Sequence, residues 1–288
     1  MSNRVVLVTG ASGFLGRQTL APLAAHGFTV HAACRRPVVM AGVTWHALDL
    51  FTEAQRQDLL TQLRPTHLLH CAWTVEHGRF WTAPENADWV VLSLCLAREA
   101  ANAGVSRFVG VGSCAEYDWQ DHPDHSRTEA DPLQPATPYG FAKHATRTLS
   151  ELMLAAAGVS FAWARMFHLY GPGEPEQKFH AALCRALDRG ERFVLRHGQL
   201  IRDLIRIDTA ADALAALVAA DTVSGAVNIG TGRGIALADH ARTLATPRGL
   251  DHLLDVRSEP APGEPPSMVA DIRRLCHEVG WQRGTPYA

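Results

Sequence analysis

The stretch that most restricts this chain is T-G-A-S-G-F-L-G at residues 9–16, which follows the apolar run V-V-L-V of residues 5–8. Gly10, Gly13 and Gly16 fall three apart where a strand hands over to a helix. So tight a turn needs a residue without a Cβ, and its backbone comes close to a pyrophosphate. The helix that follows packs tightly on its strand and turns its N-terminal N–H groups toward the anion. A glycine triplet alone is a weak signal; its setting in the first βα turn makes it strong.

Downstream, short apolar runs alternate with helical patterns. Residues 28–34 (F-T-V-H-A-A-C), 43–50, 67–73 (H-L-L-H-C-A-W) and 107–113 (R-F-V-G-V-G-S) read as strands, with helices expected before Gly27, over 52–63 and over 84–103. Unbroken apolar strands separated by helices require a parallel sheet covered on both faces. The expected fold is therefore α/β, a Rossmann-like doubly wound parallel sheet. Pro22 removes a backbone donor inside the first helix, and a bend is expected there. The polar, proline-rich stretch 117–138 has the length that functional loops take. After it come a helix over 139–157, a strand over 161–166, helices near 177–189 and over 209–220, and a strand at 227–230. The expected division is a dinucleotide-binding domain over 1–167, with 204–232 returning to it. Residues 168–203 and 233–288 would form a smaller C-terminal substrate-binding lobe.

Composition excludes several classes. A net charge of −2 over 288 residues supplies no basic field for a nucleic acid. No apolar run reaches the ~18–20 residues that span a bilayer, so no membrane partner is expected. The chain enters its first strand within three residues, so no signal peptide is expected. Cys34, Cys71, Cys95, Cys114, Cys184 and Cys276 show no metal-binding spacing and read as reduced thiols of a cytoplasmic protein.

The second strand ends in C-R-R-P, where an NAD site usually carries a carboxylate for the ribose 2′-hydroxyl. Arg35 and Arg36 offer cations to a 2′-phosphate instead, so NADP(H) is expected in preference to NAD(H). Asp49, just after the third strand, is placed for the adenine edge or for a helix N-cap. Further on, T-P-Y-G-F-A-K sets Tyr139 and Lys143 one helical turn apart on one face. A tyrosine ionises near ~10, and a neighbouring ammonium favours its phenolate. The pair alone does not separate a working pair from two surface residues.

Together T-G-A-S-G-F-L-G, Tyr139-x-x-x-Lys143 and R-M-F-H-L-Y-G-P-G (165–173) resemble the extended short-chain dehydrogenase/reductase family, in particular its nucleotide-sugar epimerases, dehydratases and 4-ketoreductases. R-D-L-I-R-I-D (202–208), V-N-I-G-T-G (227–232) and the terminal V-A-D-I-R-R-L-C-H-E-V-G-W (269–281) extend the resemblance. It implies that Ser113, four residues before Tyr117, completes a catalytic trio with Tyr139 and Lys143. Ser113 would fix the substrate oxygen, Tyr139 would protonate it, and Lys143 would assist the phenol and bind the nicotinamide ribose. It implies cofactor contacts from Gly10, Ser12, Gly13, Phe14, Leu15, Gly16, Leu50, Cys71, Ala72, Trp73 and Met166, besides Arg35, Arg36, Asp49, Tyr139 and Lys143. Substrate contacts would come from Trp73, Thr74, Ser113, Cys114, Ala115, His168 and Arg202; no metal is implied.

Departures from the family pattern narrow the activity. Dehydratases carry an Asp-Glu pair directly after the serine or threonine, and Cys114 and Ala115 stand there instead, which argues against elimination of water. Cys114 and His168 could supply the acid/base pair of an epimerase acting beside a carbonyl. A 4-epimerase with retained NAD needs only the trio. His168 replaces a usual asparagine and is expected to line the pocket. Arg202 matches a residue that grips a diphosphate, with an ion pair to Asp203 as its other role. Ala261 stands where a second arginine is usual, and Trp89 where the long helix usually has asparagine. Trp81 and Trp89 are expected in the core or an interface. The combination is most similar to NADPH-dependent reductases of the C4 ketone of nucleotide-linked 4-keto-6-deoxysugars, with an epimerase or a non-catalytic NADP sensor as rivals. A homodimer through the helices at 84–103 and 139–157 is expected by the same resemblance.

Overall fold

A computed structural model describes residues 4–38, 40–120 and 125–282. Seven strands, β1 (Val5–Thr9), β2 (Thr29–Cys34), β3 (Val43–Ala47), β4 (His67–His70), β5 (Arg107–Ser113), β6 (Ser160–Met166) and β7 (Gly225–Ile229), form one sheet. Its order is β3-β2-β1-β4-β5-β6-β7, and every neighbouring pair is parallel. The order reverses between β1 and β4, and at such a switch point an open α/β sheet binds its ligand.

The helices among the described residues are α1 (Phe14–Ala25), α2 (Glu53–Leu63), α3 (Glu85–Asn102), α4 (Pro138–Ala156), α5 (Phe179–Asp188), α6 (Ile207–Ala219), α7 (Leu237–Ala245) and α8 (Arg273–His277). Strand alternation sorts the core into two layers. Val6 and Val8 pack with Leu20 and Leu23 of α1 and Leu214 and Leu217 of α6. Leu7 faces the other way, in a cluster with Leu60 of α2, Leu92 and Leu96 of α3 and Leu154 of α4. Helix α1 runs unbroken across Pro22.

Buried polar side chains tie these layers together. Arg107, at the start of β5, donates to the carbonyls of Leu217 (2.6 Å), Val218 (3.1 Å) and Val223 (3.0 Å), satisfying the end of α6. His67 lies 2.8 Å from Asp221, which also pairs with Arg4 at 3.2 Å. His70 bridges Thr9 Oγ1 (2.7 Å) and Ser93 Oγ (2.9 Å). Ser93 already donates to the Trp89 carbonyl at 2.6 Å, so His70 Nε2 carries the proton and Nδ1 accepts from Thr9.

Short strands build the rest. His168–Tyr170 pairs with Leu204–Arg206, and Phe193–Leu195 pairs with Leu254–Val256, both in parallel. Ile201–Arg202 lies between Ile235–Ala236 and Ser267–Met268. A separate small core of Leu183, Leu187, Leu195, Ala241 and Ala245 joins α5 to α7.

Candidate active site

The carboxyl ends of β1, β4 and β5 open into a cavity of about 1220 Å³. The glycine loop forms one end of it. Gly10 has φ +69°, and a Cβ there would lie 2.6 Å from the Ala72 backbone nitrogen. Gly13 caps α1 with no side-chain hydrogen bond, leaving the first N–H groups of the helix available to an anion. This cradle fits the pyrophosphate of a dinucleotide. Ser12, Phe14, Leu15 and Gly16 line it with Gly10 and Gly13, as do Leu50, Cys71, Ala72 and Met166 elsewhere in the cavity. Strand β4 stops at His70, three residues earlier than the apolar run suggests; the Cys71 N–H still donates to the Thr9 carbonyl at 3.1 Å, and residues 72–73 leave the ladder where they meet the cavity.

At the end of β2 the two arginines separate. Arg35 lines the cavity, whereas Arg36 is exposed and outside the lining. Asp49 also lines it and is not an N-cap: the cap of α2 is Thr52, and Asp49 Oδ1 accepts from the Phe51 N–H at 3.1 Å.

Ser113 ends β5 and opens a single 3-10 turn over Cys114–Glu116. Its hydroxyl oxygen accepts from the Ala115 N–H at 3.1 Å, and Glu116 Oε1 accepts from the Ser113 N–H at 2.8 Å. This reciprocal pair fixes the serine. Glu116 is fully buried and also accepts from Trp163 Nε1 (2.8 Å) and Arg165 Nε (3.3 Å). Arg165 Nη1 donates to Tyr117 Oη at 3.1 Å, and Tyr117 donates to Asn228 Oδ1 at 2.7 Å. Asn228 Nδ2 donates to the Arg127 carbonyl at 2.8 Å. Much of the polar stretch after Ser113 thus props the site from below; residues 121–124 lie outside the described residues.

Helix α4 brings in the other two members of the trio. Thr137 caps it, accepting from the Gly140 N–H at 3.1 Å, and Pro138 takes its first turn. A Cβ on Gly140 would collide with the Ala115 carbonyl, so only glycine lets the helix start come this close to the Ser113 turn. Tyr139 is buried, which raises the pKa of its phenol; the nearby Ser113 hydroxyl works in the opposite direction. Lys143 Nζ donates to the Val111 carbonyl at 2.8 Å and sits 3.7 Å from the centre of the Trp73 ring. It stands 5.9 Å from the Tyr139 ring. Burial pulls the lysine down to about 7, against the pull of Glu116 and Cys71.

An aromatic wall completes this side. Trp73 stacks on Trp89 at 6.0 Å and meets Tyr139 edge-on at 6.4 Å. Phe80 and Trp81 approach Tyr139 edge-on at 4.9 and 5.6 Å, and the Tyr139 N–H donates to the Trp81 carbonyl at 3.1 Å. Trp81 is 43% exposed and lines the cavity, so it is not a core residue. Trp89 lines the cavity too, half-buried, with its Nε1 donating to Thr74 Oγ1 at 3.0 Å. Asn86, unremarked in the sequence, is buried and holds the wall: it accepts from Trp73 Nε1 at 2.9 Å and donates to the Phe80 carbonyl at 2.8 Å.

Of the expected substrate contacts, Trp73, Thr74, Ser113, Cys114, His168 and Arg202 line the cavity; Ala115 does not, its carbonyl being packed against α4. Burial pushes the Cys114 thiol up to about 12 and His168 down to about 3, the latter helped by Arg202 and Lys178. Both are uncharged near neutrality. His168 Nδ1 is buried with no partner among the described residues. Arg202 does not pair with Asp203. It donates to Glu264 and to the Pro265 and Ile201 carbonyls, each at 2.9 Å, while Asp203 accepts from Thr231 Oγ1 at 2.6 Å. Lys178, also missed in the sequence, lines the cavity with Arg202 and lies 5.7 Å from the Phe14 ring. Nothing in its local sequence marks it, because only the fold carries α5 back to the glycine loop.

A model of the NAD dependent epimerase/dehydratase family matches residues 6–230. The chain is 28% identical to a UDP-glucose 4-epimerase of Rhizobium meliloti (strain 1021), over 98% of its own length and 93% of the relative's. It is 27% identical to a CDP-abequose synthase of Salmonella typhimurium, over 81% of its own length and 77% of the relative's. Among solved structures, MoeE5 in complex with UDP-glucuronic acid and NAD matches with a TM-score of 0.82 at 29% identity, covering 97% of this chain and 94% of that one.

Proposed function

The chain belongs to the NAD dependent epimerase/dehydratase family, and from that premise we propose that it transfers hydride at C4 of a nucleotide-linked hexose, in the direction that reduces a 4-keto-6-deoxysugar with NADPH. The observation that carries this reading is Tyr139 and Ser113 on the lining of one cavity, with Cys114 rather than a carboxylate beside the serine. One proton donor at one carbon serves hydride transfer; elimination of water needs further acid/base groups.

A bound dinucleotide supplies the hydride. Ser113 accepts from a backbone N–H and keeps its own proton to offer the C4 oxygen. Tyr139 delivers the proton that the developing alkoxide takes up. Lys143, with a pKa near neutrality, can return a proton to the tyrosine side of the site. Arg202 and Lys178 are the two cations that suit the sugar diphosphate. Arg35 on the lining, without a carboxylate at the end of β2, supports a 2′-phosphate and so NADP(H). The proposed division keeps the domains expected from the sequence, with the sugar held by the smaller lobe. Val91, Phe141, Leu149 and Leu152, exposed on α3 and α4, support a homodimer across those helices, acting in the cytoplasm. No described helix is long and apolar enough to cross a membrane.

The second reading is a 4-epimerase that retains NAD. It is favoured by the likeness to a UDP-glucose 4-epimerase over nearly the whole chain and by Arg36 lying off the cavity. The test measures NADPH and NADH oxidation by the purified protein against nucleotide-linked 4-keto-6-deoxysugars, with Tyr139→Phe as control. The expected result is turnover with NADPH that falls by about 10²–10⁴ in the variant. Interconversion of 4-epimers without net oxidation of added cofactor would replace the reductase with the epimerase.

A further inference from the structure

A second cavity, of about 1160 Å³, is lined by α5, α7 and the loop 171–176. The chemistry proposed at Tyr139 uses none of its nucleophiles. Cys184 and His180 stand four residues apart on α5, so they share a face. Cys184 Sγ lies 3.6 Å from His180 Nε2, and His180 Nδ1 lies 3.0 Å from His240 Nε2 on α7. Burial lowers both imidazoles, His240 to about 4, and raises the thiol. Of the two arrangements open to a neutral imidazole beside a protonated thiol, the one in which S–H donates to His180 Nε2 and His180 Nδ1–H donates to His240 leaves Nε2 placed to take the thiol proton. Cys34 and Cys114 are buried, and none of the other five thiols meets a histidine nitrogen among the described residues.

The cavity also suits an anion. Arg185 is bound to Glu176 (2.6 Å), Arg206 to Asp208 (2.8 Å), and Asp188 to Arg248 (2.8 Å). Arg189 and Arg233 line the same cavity, exposed, and their guanidiniums have no partner among the described residues. The carboxylates at Glu176 and Asp188 are therefore spoken for, and Glu174 also lines the cavity, so Arg189 and Arg233 leave an excess of one positive charge.

We propose that Cys184 is a thiol-exchange site for small anionic disulfides, with His180 as its base and His240 holding His180 in the required tautomer. The thiol proton passes to His180 Nε2 as the sulfur attacks the near sulfur of the disulfide. A Cys184–S–S bond forms, the original S–S bond breaks, and the far half leaves as a thiolate that then takes up a proton. No outside oxidant is needed, since the incoming disulfide is reduced as Cys184 is oxidised.

The probe is 5,5′-dithiobis(2-nitrobenzoate), a dianionic disulfide, added below stoichiometry to the whole protein, with the modified cysteine mapped by mass spectrometry. Cys184 is expected to react first, at least about tenfold faster than Cys95 or Cys276. His180→Gln should cut the Cys184 rate by at least about tenfold while leaving Cys95 and Cys276 unchanged, which also reports that the fold is intact. His240→Asn should give a smaller loss at the same site. Removing Arg189 and Arg233 together should slow the dianionic probe several-fold and leave dicationic cystamine no slower. First labelling at Cys71 in the other cavity, an unchanged rate in His180→Gln, or equal loss for both probes would overturn the assignment.

Discussion

Two neighbourhoods meet at the end of β5 and keep a buried charge by opposite means. Below Ser113, Glu116 is fixed by Arg165, Trp163 and the Ser113 N–H, and Arg165 in turn by Tyr117. Across the cavity, Lys143 has one carbonyl partner and otherwise faces rings: Trp73 at 3.7 Å, with Tyr139 and Trp163 farther off. The first arrangement is specific, with each partner lost leaving a charge stranded. The second is graded, because a ring's quadrupole attracts an ammonium without dictating its direction. The rigid side holds Ser113 in place, and the softer side holds a lysine whose charge can change.

The largest effect should come from breaking the rigid side. Arg165→Met strands the Glu116 carboxylate and is expected to cost about 3–5 kcal/mol in urea unfolding. A loss below about 1 kcal/mol would mean that the network is no more specific than the aromatic wall. Next comes Lys143→Met, read through pH. The folded pKa of about 7 lies below the ordinary 10.5, so between those values the unfolded chain holds more protons. Stability should then rise with pH across that window, by at most about 1.4 kcal/mol per pH unit, and the cost of the buried charge should be fully present below it. The variant should flatten that slope; equal slopes would show that Lys143 is charged throughout. The smallest change is Trp73→Leu. It keeps the site dry but removes the quadrupole, an effect of about 0.5–2 kcal/mol. It should lower the Lys143 pKa further, seen as a shift in that same stability profile, and an upward shift would show that the indole matters only by excluding water.

Most of the frame was legible because its signals are local. The glycine loop, the alternation of apolar runs and helices, and the turn that brings Tyr139 and Lys143 to one face each need only a few neighbouring residues. The homology-like ordering of motifs then pointed to Ser113. What sequence reasoning missed is non-local. Asn86 and Lys178 look ordinary until α3 and α5 bring them to the cavity wall. Arg165 and Glu116 lie 49 residues apart, and only the β5–β6 pairing makes them partners. Arg202 sits next to Asp203 in sequence, but Arg202 ends one short strand and Asp203 lies between it and the next, and their side chains meet different partners, Glu264 and Thr231. Of the adjacent Arg35 and Arg36, likewise, only the first lines the cavity.

The late return of the chain to its own beginning bears on how the protein is born. Strand β1 leaves the ribosome first, yet Arg4 waits for Asp221, and α1 waits for α6 to cover the same apolar layer. Strand β7 closes the open flank of β6 last of all. Through much of synthesis the growing sheet therefore offers an unpaired edge and an uncovered apolar face, the two features that invite misassociation. Fragments stalled before residue 207 should bind a dye for exposed apolar surface and be cut readily by protease, and fragments extended past 229 should do neither. Compact behaviour of the shorter fragments would mean that the first half of the sheet can stand alone, and that α6 and β7 merely finish it.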